Sequence, residues 1–179
     1  MIDLRVRRSR EGLRAALLQL LESRPFDDIT IREVAARAGV GYTTFFRHYP
    51  GKEALLDDVA AGEIRSLTDH AMPIYDSGDP ASACLALCGY VERHRALWSA
   101  LLTGGAAPIV REEMLKQSRE ATATRSPSQA LPPDLGTALA VAVIVELLSW
   151  WLRQPDPWPA EKLANVMNRT AIMPLLDGV

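Results

Sequence analysis

Cysteine is scarce in this chain: Cys84 and Cys88 are the two among 179 residues. That excludes a small disulfide-stapled scaffold, and at i, i+4 a bridge would join neighbouring turns of one helix and constrain little. A reducing compartment, the cytoplasm, is therefore expected. Histidine is nearly as scarce, with His48, His70 and His94. There is no Ser-nucleophile motif, phosphate loop or His-Glu metal signature, so no enzyme is expected and no cofactor is implied. Cys84, Cys88 and His94 could touch a soft metal, but no nearby ligands complete a tetrahedral site, and no metal is expected. The basic stretch MIDLRVRRSREGLR lacks the apolar segment of a secretion signal. Leu135–Leu152 approaches the ~20 residues of a bilayer span, yet it carries Glu146 and lacks a basic flank, so no membrane partner is expected.

What is present is ordinary for a soluble globular protein, with 48% hydrophobic and 23% charged residues. The length suits one domain, or a large and a small one. The net charge of −2 hides an asymmetry. Residues 1–50 hold nine Arg against six acids, a balance of +3, whereas the remainder holds eleven bases against sixteen acids, or −5. A basic first third on an acidic body suggests different partners, the first polyanionic, although uneven solvated surface charge gives the same count.

Spacing narrows the choice. Leu13, Ala16, Leu17, Leu20 and Leu21 form the apolar stripe of a helix over Arg8–Glu22, closed by Pro25. Thr30 and Glu33 make a capping box, so a second helix starts there and turns Val34, Ala35 and Ala38 inward until Gly39 ends it. Tyr42-Thr43-Thr44-Phe45-Phe46-Arg47-His48-Tyr49 is a short third helix stopped by Pro50-Gly51. Helix, glycine turn and short polar helix read as a helix-turn-helix. Such a unit sets its second helix in the major groove. Phe45 and Tyr49 would then face the core, leaving Tyr42, Thr43, Arg47 and His48 outward for phosphates and base edges. Lys52 opens the next helix beside backbone N–H groups that also favour a phosphate. Three-helix units also occur in proteins that never meet DNA, with these same side chains as turn formers and solvated charges.

The run from Thr30 to Leu56 closely resembles the DNA-binding segment of TetR-family transcriptional regulators, with order and spacing intact. The resemblance implies an all-α fold of about nine helices. Residues 1–51 would be a three-helix DNA-binding domain and residues 52–179 a helical body that binds an effector and dimerises. It further implies a homodimeric regulator on a palindromic operator, a repressor released by a small molecule. Arg32 matches a position that can reach a base or phosphate, Tyr42 and Thr43 match base-touching positions, and Thr44, His48 and Lys52 match phosphate-holding ones. Phe46 departs from the family's usual Tyr, so a phosphate bond should be lost while packing is kept. Gly41 and Gly51 stand where polar caps are common, which loosens both helix starts only slightly.

Further helices are expected over Lys52 to about Ala71, broken by Met72-Pro73, then from Asp79-Pro80 to Arg93, around Ala96–Leu102 up to Gly104-Gly105, and from Pro108 to about Ala123. Arg125–Pro133 reads as a Pro- and Ser-rich connection. Leu135–Arg153 is apolar on nearly every side and needs partners all round, either within one monomer or across a second subunit. The resemblance implies the latter, a homodimer through Leu135–Arg153 and Ala160–Ile172. Family placement puts an effector pocket among the middle helices. Met72, Tyr75, Cys88, Tyr90, Leu97, Trp98, Leu101, Met114 and Trp150 are plausible lining for an organic molecule, though such residues at helical spacing also fill cores.

Overall fold

A computed structural model describes residues 4–103, 107–122 and 131–176, and among these there are helices and no strand. The Gly104-Gly105 stop and most of the Arg125–Pro133 connection lie outside the described residues. Helix α1 is Leu4–Leu21, α2 Ile31–Arg37, α3 Tyr42–His48 and α4 Lys52–Asp76, with a 3-10 turn at Phe26–Asp28 before α2. They are followed by α5 Pro80–Arg93, α6 Arg95–Thr103, α7 Ala107–Thr122, α8 Pro133–Arg153, α9 Ala160–Met167 and α10 Met173–Leu176. A π-helical turn, Asn168–Ile172, joins the last two.

The chain divides into two compact units, Met1–Ala60 and Ala61–Val179, and the division falls inside α4 rather than before Lys52. Residues Leu55, Leu56 and Val59 explain the difference, since all three are buried on the first turns of α4 within the first unit. The core of that unit also takes Leu13 and Leu17 from α1, Val34 from α2 and Phe45 from α3. The second unit packs α5 on α9, and α6 and α7 on α8. Its core holds Cys88, Val91, Trp98, Leu101, Leu148, Trp151, Leu163 and Met167.

Two expected helix ends move. Pro73 does not break α4, which continues to Asp76. A proline there forfeits its own bond to the preceding turn, but its carbonyl still accepts the Ser77 N–H at 3.1 Å. The stop comes instead from Gly78, at φ +87°. Its N–H donates to the Tyr75 carbonyl at 3.0 Å and the Asp79 N–H to that of Ile74 at 3.4 Å, a Schellman cap. The last helix, expected as one element to Ile172, widens into the π turn before resuming. Pro174 gives a physical reason: it has no N–H, and its ring would crowd the Thr170 carbonyl in a regular α turn.

One described helix, Asp134–Arg153, is long and apolar enough to cross a membrane by length and composition, and 39% of that window is buried. On it Leu135, Leu139 and Trp150 remain exposed. Trp151 is fully buried and donates its Nε1–H to the Trp158 carbonyl at 2.7 Å. The Arg95 guanidinium caps the end of α8 through the Trp151 carbonyl at 2.9 Å.

Candidate nucleic-acid interface

Helix α3 has seven residues, too few to hold a helix by propensity, so its neighbours must fix it. The capping box at α2 is formed: the Thr30 N–H donates to Glu33 Oε2 at 2.9 Å and the Glu33 N–H to Thr30 Oγ1 at 3.3 Å. The hydrogen bond with Thr30, reinforced by the Arg24 pair, holds the Glu33 carboxyl below its ordinary range. Gly39, at φ +67°, closes α2 with a Schellman pair, its own N–H on the Ala36 carbonyl and that of Val40 on Ala35. That left-handed residue is where L side chains are strained, and it sets the angle at which α3 leaves α2. Gly41 then starts α3 with no side-chain cap.

Burial sorts the helix. Phe45 and Tyr49 are buried, as their spacing requires. Tyr42, Thr43, Phe46 and Arg47 are exposed, and Thr44 and His48 are half-buried at the margins. Arg32, exposed on α2, lays its guanidinium over the Tyr42 ring at 5.6 Å. The structure therefore brings Arg32, Tyr42, Thr43 and Arg47 onto one surface, flanked by Thr44 and His48. Phe46 keeps only part of its expected packing: it meets Phe45 edge-on at 5.5 Å, yet 46% of it is exposed.

Lys52 stands apart from this surface in its bonding. Its ammonium donates to the carbonyls of Phe26 at 3.1 Å, Asp27 at 3.2 Å and Ile29 at 3.1 Å, and it lies 4.6 Å from the Phe26 ring centroid. An ammonium has three donors, and these carbonyls can occupy all of them. Lys52 thus anchors the 3-10 turn to the start of α4, a role its sequence position did not reveal.

Sequence reasoning also missed Asp58. Its carboxylate takes Arg10 Nη2 at 2.6 Å, Arg10 Nε at 3.1 Å, the Tyr49 hydroxyl at 2.6 Å and Arg14 Nη1 at 3.4 Å. This fork ties α1 and the residue that ends α3 to α4. Burial opposes the Asp58 charge, but the bonds from Arg10 and Tyr49 prevail and hold the carboxyl below its ordinary range. Burial, then the Asp58 bond, pushes the Tyr49 hydroxyl up to about 12. The available signal was an acid beside the apolar stripe Leu55, Leu56 and Val59.

The proposed effector residues do not converge on an open cavity. Cys88, Tyr90, Leu97, Trp98, Leu101 and Met114 are buried in the second unit, Met72 and Tyr75 are half-buried, and exposed Trp150 packs edge-on against Trp158. A cleft of about 230 Å³ is lined instead by Arg65, Thr68, Asp69, Glu113, Lys116, Gln117 and Glu120. Another of about 290 Å³ lies between α5 and α9. Burial raises the Cys84 thiol to about 11 and the Cys88 thiol to about 12, leaving both unreactive. No group of three or more His, Cys, Asp or Glu among the described residues could hold a metal ion.

A capped helix-turn-helix with a basic, aromatic outward face, followed by an all-helical second unit, is the architecture the described residues build. Residues 13–59 match the family described as bacterial regulatory proteins, tetR family. The uncharacterized HTH-type transcriptional regulator YxbF of Bacillus subtilis is 36% identical over 70 residues, which are 38% of this chain and 18% of that protein. The uncharacterized HTH-type regulator Mb0790c of Mycobacterium bovis is 31% identical over 102 residues, covering 54% of this chain and 48% of its own. The chain thus spans half or less of the length of these two relatives. The crystal structure of RolR in complex with resorcinol superposes with a TM-score of 0.67 at 20% identity, covering 97% of this chain and 92% of that one. The match over residues 13–59 is to the DNA-binding segment of tetR-family regulators, and the described residues share the fold of solved TetR-family regulators such as RolR.

Proposed function

We propose that this chain is a cytoplasmic, ligand-responsive repressor that binds a palindromic operator as a homodimer and is released by a small-molecule effector. The observation that carries the reading is the outward face of α3, where Tyr42, Thr43 and Arg47 stand exposed beside Arg32 on a unit fixed by caps and by Asp58. Thr44 and His48 flank that face as phosphate contacts, and Lys52 supports it from the start of α4. Dimerisation through Leu135–Arg153 and Ala160–Ile172 is supported by exposed Leu135, Leu139 and Trp150, apolar area that a second subunit would cover. For the effector, the fold-mate RolR binds resorcinol. Here Met72, Tyr75, Cys88, Tyr90, Leu97, Trp98, Leu101, Met114 and Trp150 would have to part to admit a ligand, and that rearrangement could carry the switch only through differential affinity.

Selection of bound duplexes from a random pool by the purified protein tests the reading. An enriched palindrome whose affinity falls steeply with salt is expected. A folded, dimeric protein that enriches no duplex would overturn it.

A further inference from the structure

Phe46 is a large apolar side chain left in water on the outward side of α3. It is 46% exposed on α3, one turn from Tyr42 and next to Arg47. Its ring is not loose: it stands edge-on to Tyr42 at 5.2 Å and 78°, and to Phe45 at 5.5 Å and 74°. The Tyr42 ring is itself covered by the Arg32 guanidinium. A phenyl group has no donor for a phosphate; Thr43 and Arg47, both exposed, lie beside it along α3, and Arg32 covers its ring neighbour Tyr42, in a segment that is basic overall. This is a small fixed apolar point within a polyanion-binding face. The apolar feature that a duplex offers to such a point in its major groove is the 5-methyl group of thymine.

Resting on the DNA-binding function proposed above, we infer that Phe46 reads a thymine 5-methyl group in each half-site. Tyr42 and Phe45 hold the ring at a set angle, so the contact specifies one position and not a general preference for A·T pairs. A protein partner is the less fitting occupant, since the apolar area is limited to Tyr42 and Phe46 and is bordered by arginines.

The test uses the full-length protein and the duplex enriched from a random pool, with each thymine replaced in turn by deoxyuridine, which removes only the methyl group. One position per half-site should weaken binding by about threefold to fivefold, the worth of burying one methyl group. Phe46→Ala should bind the thymine and deoxyuridine duplexes equally, whereas Phe46→Leu should keep part of the discrimination. Helical content by circular dichroism checks that both variants fold, as expected for an exposed position. A half-site without thymine, or deoxyuridine without effect at every position, would overturn the assignment while leaving DNA binding intact. A penalty that persists in Phe46→Ala would overturn it too, and would transfer the methyl contact to another side chain such as Thr43. If no duplex is enriched, DNA binding itself falls, and this contact with it.

Discussion

The two units of this chain are held together by different means. In the first, long polar side chains tie separate elements: Arg10 and Arg14 reach Asp58, Arg24 reaches Glu33 at 2.9 Å, and Lys52 grips three carbonyls. In the second, large apolar groups fill the interior, with Trp98, Leu101, Leu148, Trp151 and Leu163 fully enclosed. A unit of some sixty residues buries a smaller fraction of its surface than a larger one and is correspondingly marginal, so directional bonds weigh more in it. Those bonds also fix the orientation of α3, which the DNA contact proposed above requires. The larger unit can rely on packing, which is less directional and easier to rearrange around a ligand.

The contrast can be broken most forcefully in the apolar unit. Trp98→Ala should cost about 3–5 kcal/mol through the cavity it leaves. Calorimetry should show the loss in the transition of residues 61–179, with that of the first unit unchanged. In the polar unit, Asp58→Ala strands Arg10 and the Tyr49 hydroxyl and should cost about 2–3 kcal/mol, read as reduced DNA affinity and a lower first transition. The same carboxylate predicts a pH effect. Its folded pKa lies below the unfolded value, so its contribution is present above about pH 4 and is lost as pH falls through the folded value. Acid titration should melt the first unit along that course, and Asp58→Ala should remove this part of the acid sensitivity.

Lys52→Ala should remove about 2 kcal/mol by freeing the 3-10 turn. It sharpens the comparison, because a purely phosphate-binding lysine would leave the melting of DNA-free protein unchanged. The smallest effect, about 1 kcal/mol, is expected for Thr30→Ala, which removes the cap of α2. Equilibrium denaturation of the first unit measures it.

Much of the first unit was legible because its signals are local. The Thr30–Glu33 box, the turn at Gly39 and the alternation that buries Phe45 and Tyr49 each lie within a few residues. The roles of Lys52 and Asp58 were not, because their partners lie far away in the chain: Lys52 reaches back to Phe26, and Asp58 to Arg10. Pro73 misled as a helix breaker, since loss of one backbone N–H does not by itself end a helix, and Gly78 sets that end. In the larger unit helix positions followed from periodicity, but core and pocket share the same residue types. Trp98 and Tyr90 look alike on either reading until burial is known.

The distribution of tryptophan gives the molecule a built-in optical division. All four indoles, Trp98, Trp150, Trp151 and Trp158, belong to residues 61–179, and none lies in the first unit. Trp98 and Trp151 are enclosed and Trp150 is exposed, so their emission should shift to longer wavelength when the larger unit opens. Intrinsic fluorescence excited at the indole band will consequently report from the larger unit, whereas far-ultraviolet ellipticity registers the helices of both. Superimposing the two signals separates the units in an unlabelled, wild-type chain.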